Sequence, residues 1–576
     1  MIEHNTIGAE PTLADSSSTH GDEPGSQAKL KRSQVGRLHR GWFVASAILI
    51  PLVILFILET SLRVGGVGYS TDLLTPCTVK GVPSSCYNLF FAAPFFPAGM
   101  VQVPRLYSIP TSKAAGTYRI FVLGESAAMG DPDSAYGFSR YLEVMLRDAY
   151  PQRRFEVVNT GSVAINSHVV LRIAEGLADQ HPDLVIIYSG NNEVVGPYGP
   201  GTVLTSSGMR MPVVRASIWY HSSRIGQLLT KLGTQKKEWH GMEMFLDKQV
   251  RANSPLMKYV YANYEQNLRE TIQIAQNEGA KVIVATTATN LGDCAPFASL
   301  HRENLQPEEL QSWQALVRRG DDLRSAHSDS EALKVYLQAA EIDDEYAELE
   351  FRIALGLRRL GDLKSAREHF VRARDLDTLR FRADSRINEI NRSIAPSMGA
   401  DLLDTDSMLS QASTDGIVGS DLIYEHVHLT PASSYAVARA TFLKVTPSLG
   451  SASVAQERVL SEAECERRLA LTDFDRARLA TEMLHRLERP PFTNQMNHGE
   501  QVLRFTMQAQ SLTQDPNETA VQYQWAIAQK PDDTMLHYHY GMFLFQYDRR
   551  AAAAELAMAQ PWDGFPVFMP NGTRVK

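Results

Sequence analysis

Five short runs of β-forming residues, four of them followed by a stretch of helical period, constrain this chain more than any other feature. Ile120, Phe121, Val122 and Leu123 form an apolar run with no helical repeat, which reads as a buried strand over 119–124. Phe138, Leu142, Met145 and Leu146 then fall at helical spacing, predicting a helix near 137–149. Further strands are expected at 155–158, 183–188, 280–286 and 400–404, with helices near 166–181 and 259–278. A last helix is expected to open at 424–431 and run to about 444. Such alternation predicts an α/β fold: a doubly wound parallel sheet of about five strands. Ser126 follows the first strand directly, at the carboxyl edge where open α/β sheets bind ligands.

The remaining segments surround that sheet. Residues 42–62 are apolar and, as a helix, about 31 Å long, enough to cross a bilayer core. Lys29, Lys31, Arg32, Arg37 and Arg40 precede them, while Arg63 and Lys80 alone follow closely. The positive-inside rule then keeps a disordered, basic-ended tail, 1–41, in the cytoplasm and places the main domains outside the membrane, in the periplasm of a Gram-negative cell. A cleaved signal peptide is the rival, but the leader is long and no Ala-x-Ala site follows. An extracytoplasmic linker is expected over 63–118. Its aromatic patch at 87–97 is read as covering a sheet edge, with a bilayer contact as the alternative. Cys77 and Cys86 lie in a Gly/Pro/Ser stretch outside the membrane and are a disulfide candidate, the alternative being two free thiols. Cys294 and Cys465 show no metal spacing, so no metal and no cofactor is expected. A net charge of −8 argues against a nucleic-acid partner.

Roughly 65 residues separate the third and fourth strands, longer than an ordinary βα connection. They hold a helical stretch near 216–232 and an amphipathic run at 239–246, read as either a lid or an extra packing layer. Residues 313–378 repeat with a period of 34: Gly320, Ala332, Tyr336 and Ala339 recur as Ala354, Ala366, Phe370 and Ala373. Small residues at these spacings let antiparallel helices approach while aromatics fill the gaps, a pattern that resembles the tetratricopeptide repeat. A helix near 380–394 is expected to cap the array. Tyr523, Ala526, Pro531 and Gly541 echo the pattern weakly. The expected order is a sheet domain in two parts, 119–305 and 396–447, split by a repeat insertion, 306–395. A helical C-terminal domain follows over 455–576.

Four polar blocks fall at predicted strand exits: Gly124-Glu-Ser-Ala127, Asn159, Gly190-Asn-Asn-Glu193 and Glu425-His-Val-His428. In that order they resemble the blocks of the SGNH (GDSL-type) hydrolase superfamily, over 119–305 and 396–446. The resemblance implies Ser126 as nucleophile, His428 as base and then acid, and Glu425 as the group that orients His428. Glu425 and His428, three apart, would share a face at a helix start. The oxyanion would be held by the Ser126 N–H, the Asn192 side chain and a backbone N–H at Ala164 or Gly161, each such donor being worth about 3 kcal/mol. Glu125, Glu193 and Glu425 stand where the family usually has Asp, and Ala164 stands where it has the oxyanion glycine.

Each residue also has a plainer reading. Ser126 suits a helix N-cap and Asn192 a loop hydrogen bond. His426 and His168 are read as structural. Residue 128 is Ala, so Ser126 does not sit in a Gly-x-Ser-x-Gly elbow. Two functions are weighed. One is an esterase or acyltransferase acting on an acyl ester of a carbohydrate, envelope polymer or lipid, with a protein partner on the repeats and the membrane held through 42–62. The other is a catalytically silent scaffold.

Overall fold

The computed structural model describes residues 26–102, 104–205, 210–233, 238–449, 459–512 and 515–566, with 568 and 570. The chain forms two compact units, Met1–Gly68 and Tyr69–Lys576. In the first, helix α1 (Ser26–Val64) is 39 residues long. Its segment Ser46–Val64 has a mean hydropathy of 2.2, long and apolar enough to cross a bilayer, a measure that a signal sequence also meets. The helix begins at Ser26, so the expected disordered tail is helical from there on; residues 1–25 lie outside the described residues.

The second unit opens with a correction. The expected linker contains a three-stranded antiparallel sheet: β1 (Leu74–Val79), β2 (Val82–Tyr87) and β3 (Ser108–Pro110). Cys77 and Cys86 are joined across β1 and β2 with an S–S distance of 1.99 Å. Tyr87, Phe91, Phe95 and Phe96 are buried in the core beneath the main sheet, so these rings pack against protein.

That main sheet has five parallel strands in the order β5, β4, β6, β7, β8. They are β4 (Thr117–Gly124), β5 (Arg154–Asn159), β6 (Leu184–Tyr188), β7 (Lys281–Ala285) and β8 (Asp401–Leu403). Because side chains alternate along a strand, Phe121 and Leu123 face one core and Ile120 and Val122 the other. Helices α4 (Ser167–Leu177), α7 (Met257–Asn277) and α12 (Ser385–Ser397) cover the first face. Helices α3 (Phe138–Ala149) and α14 (Pro431–Val445) cover the second. The first strand in sequence lies between the second and the third, so chain direction across the sheet reverses at β4, where a ligand crevice is expected.

Four further findings modify the sequence reading. The stretch expected to be one helix near 216–232 is two, α5 (Met211–Ser222) and α6 (Arg224–Gly233), divided where the Ser223 hydroxyl accepts the Gly226 N–H at 2.9 Å. The insertion is two helical hairpins, α8 (Pro307–Ser325) with α9 (Asp329–Ile342) and α10 (Ala347–Arg359) with α11 (Leu363–Leu376). A methyl on Gly320 would sit 2.4 Å from the Tyr336 ring, which is why the first hairpin has glycine where the second has Ala354. Helix α12 does not cap these hairpins: Ile387, Ile390 and Ile394 are buried against α7 and the sheet, so it is the crossover helix to β8. The C-terminal helices pack into the same compact unit, with Met483, Leu487, Phe492 and Phe505 in the core beneath the sheet.

Candidate active site

The main chain leaves β4 through Gly124, where a Cβ would lie 2.0 Å from the Tyr188 carbonyl oxygen; only glycine lets β4 and β6 end this close together. A single helical turn, α2 (Ser126–Met129), follows and lifts Ser126 above the sheet edge. The 423–429 segment is no helix start, contrary to expectation. Ile423 bridges Leu429, the Tyr424 N–H donates to the His428 carbonyl at 2.8 Å, and α14 begins only at Pro431. This closed loop is held from outside by the Asn290 N–H on the His426 carbonyl and by Arg504 on the Tyr424 carbonyl.

The loop carries His428 to Ser126, 302 residues away in sequence, with Nε2 2.8 Å from the serine Oγ. Glu425 Oε1 makes a short hydrogen bond to His428 Nδ1. Its other oxygen accepts the N–H groups of His426, Val427 and His428 at 2.6, 3.2 and 3.3 Å. The added methylene of Glu over Asp lets the carboxylate curl over its own turn and still reach the ring. Burial opposes ionisation of Glu425, but the adjacent His428 and His426 hold its carboxyl well below the usual range. Burial likewise pulls the His428 imidazole down, yet the carboxylates of Glu425 and Asp131 outweigh it and raise the ring above its ordinary value.

Of the residues expected to hold an oxyanion, Asn192 and Ala164 line the same cavity as Ser126 and His428, of about 590 Å³. Asn192 Nδ2 gives one hydrogen to the Ile165 carbonyl at 3.0 Å, and an amide carries a second. Ala164 stands at φ +58°, the left-handed region that favours glycine, and its N–H has no protein acceptor among the described residues. Gly161 is corrected: its N–H donates to Asn159 Oδ1 at 2.9 Å, and a Cβ there would lie 2.6 Å from the Met129 nitrogen, so it shapes the turn and is not a free donor.

Glu125 accepts the N–H groups of Gly190, Asn191 and Asn192 at 2.9, 2.8 and 3.2 Å, tying the Asn192 loop to α2. Glu193 accepts the backbone N–H and hydroxyl of Ser167 at 2.8 and 2.7 Å, closing the amino end of α4. His168 lies beside Glu193 and Tyr198, away from Ser126, and burial lowers it to about 4. His426 packs edge-on to Phe297 and Phe492, so its ring is part of an aromatic wall. Trp239 and Met242 line the cavity, and Phe245 stands edge-on to Phe381, making 239–246 a wall of the site rather than a detached layer. Glu425, His426 and His428 form the one three-ligand cluster found among the described residues. Glu425 and both nitrogens of His428 are already hydrogen-bonded, so as arranged they suit no metal.

Two site residues escape sequence reasoning. Asp131 Oδ2 lies 3.0 Å from His428 Nε2. Arg486, in the last turn of α16 (Asp473–Leu487), donates to Asp131 at 2.6 Å and to Glu425 at 3.2 Å. Asp131 follows Gly130 in a turn, where an aspartate is unremarked. Arg486 sits in a helix whose charges otherwise read as a solvated face.

No family model and no curated protein matches the chain. Solved structures similar to it include an acetyl xylan esterase, AlAXEase, at 12% identity over 57% of this chain and 99% of that one, with a TM-score of 0.28. A lipase/acylhydrolase from Enterococcus faecalis is 10% identical over 58% and 100%, with a TM-score of 0.28. TesA is 14% identical over 57% and 98%, with a TM-score of 0.24. Likeness at that level assigns no role to any residue here; the chemistry rests on the site's own atoms.

Proposed function

We propose that the protein is an SGNH-type serine esterase or O-acyltransferase, anchored through 42–62 with its main domains outside the cytoplasmic membrane. Its substrate is an acyl ester on a saccharide, envelope polymer or lipid. The observation that carries this is the line Ser126 Oγ–His428 Nε2–Glu425, buried at the carboxyl edge of a parallel sheet and open to a cavity.

Neutral His428 takes the proton as Ser126 Oγ attacks the ester carbonyl, and Glu425 stabilises the imidazolium that forms. The negative oxygen of the tetrahedral adduct meets the N–H groups of Ser126 and Ala164 and the Asn192 amide. His428 then hands its proton to the departing alkoxide, leaving an acyl-serine. Water or an acceptor alcohol attacks that ester in turn, and the choice separates hydrolysis from transfer. The aromatic walls, Trp239, Phe381 and Phe492, suit a sugar ring or an acyl chain. The hairpins α8–α11, read as tetratricopeptide-like, offer a surface for a protein partner. The contact between Glu425 and His428 favours the enzyme over the scaffold reading, whose ground was the glutamate in place of aspartate.

Labelling the full chain with a fluorophosphonate and mapping the modified peptide tests this. Ser126 is expected to carry the label, and Ser126→Ala to lose both labelling and turnover of a short-chain aryl ester. Equal turnover by the variant, or none by the parent, removes serine catalysis.

A further inference from the structure

His428 Nε2 faces two groups at once: the Ser126 hydroxyl at 2.8 Å and the Asp131 carboxylate at 3.0 Å. The two contacts have opposite requirements. To accept the serine proton the nitrogen must be bare, whereas a carboxylate at hydrogen-bonding distance is satisfied only by an N–H. Asp131 therefore favours a doubly protonated ring, held at Nδ1 by Glu425 and at Nε2 by Asp131, in which the serine is not activated. Arg486 opposes this. It neutralises Asp131 at 2.6 Å, reaches Glu425 at 3.2 Å, and places a second cation 3.3 Å from His428 Nδ1.

The other charged groups around the ring are accounted for. His426 lies on the same loop, with its Nδ1 3.2 Å from Glu425, and burial pulls its ring below the ordinary imidazole value against the pull of that carboxylate. Arg382 acts on His426, and Arg504, on α17 (His498–Ser511), on Glu425. From α16, Glu482 pairs loosely with Arg486 at 3.9 Å, and His485 lines the cavity. Of these only His426 meets His428, ring edge to ring face with centroids 5.3 Å apart. Helix α16 is held in place separately by Arg478 on Asp133 at 2.5 Å, so the Arg486 pair is not its sole fastening.

We propose that Asp131 and Arg486 are positioning residues acting through His428: Asp131 retains the Nε2 proton, and Arg486 offsets Asp131 so that the ring gives it up. The C-terminal helices thus set the pH range over which Ser126 is a nucleophile. The inference rests on the proposed serine chemistry and adds a residue pair to it.

The test is the rate of fluorophosphonate labelling of Ser126 in the full chain from pH 5 to 10, for the parent, D131N, R486M and the double variant. Removing Asp131 shifts the midpoint to lower pH, and removing Arg486 shifts it to higher pH, each by roughly 1–2 units, as expected for a charge at 4–6 Å or closer. The double variant returns close to the parent. Nitrogen-15 shifts of the His428 ring, assigned against His428→Gln, report the same order without any reaction at Ser126. If R486M does not fold, R486K and the D131N shift carry the test. Coincident midpoints for parent and D131N in both measurements overturn the inference. A parent that never labels overturns the serine reading instead, and the ring titration still decides this one.

Discussion

Two pairs of carboxylates lie in the loops that carry the site residues, and their surroundings differ in one respect. Glu125 and Glu193 are buried together, each on backbone N–H groups, and neither makes an ion pair with a cation among the described residues. Burial, and for Glu125 its neighbour, hold both above the usual range, Glu193 at about 7. Glu425 is as deeply set and Asp131 is half-buried, yet His428 and Arg486 stand between them, and both are held below the usual range. Burial alone does not decide the charge of an acid; the presence of a cation does. The first pair fastens loops, and the second is poised to answer a proton moving at His428.

Substitutions can break that contrast. The largest effect is expected at Glu425: Glu425→Gln keeps an acceptor over the turn but removes the charge facing the imidazolium, so turnover falls by about 10³–10⁴. Steady-state rates alongside circular dichroism check it, since an equal loss of folded protein would move Glu425 to the fastening class. Next comes Asn192→Ala, which deletes one oxyanion donor and lowers kcat by about 10²–10³ with KM nearly constant. The smallest effect belongs to the other pair. The Glu193 carboxyl is raised in the folded state from 4.5 to about 7, so its stabilising protonated form is complete below pH 4.5 and lost as pH rises through 7. Glu193→Gln is therefore expected to lower Tm less than the parent does between pH 5 and 8, with unchanged esterase rates. A parallel pH profile would show that Glu193 is not the titrating group.

How much of this was legible in the sequence follows from physics. Strands β4, β6 and β7 are buried on both faces, so their residues are continuous β-formers and stand out without any alignment. The β1–β3 sheet did not stand out, because its strands carry Thr, Pro, Ser and Cys, which read as loop. The residues Glu425 and His428 were legible, but not the backbone under them: Pro431 marks the first turn of α14, and the bridge between Ile423 and Leu429 closes the preceding residues into a loop. Helix α12 shows apolar spacing that suits either a repeat cap or a sheet crossover, and only packing chooses. Arg486 was out of reach, since its partner Asp131 lies 355 residues away and no periodicity joins them.

That separation has a consequence during synthesis. At about 5–20 residues per second, some 20–70 s pass between the emergence of Asp131 and that of Arg486. For that interval the serine and its aspartate exist without the arginine. When His428 has emerged it still lacks the cation that offsets Asp131 until 58 further residues follow, and for that time its ring is held towards the protonated form.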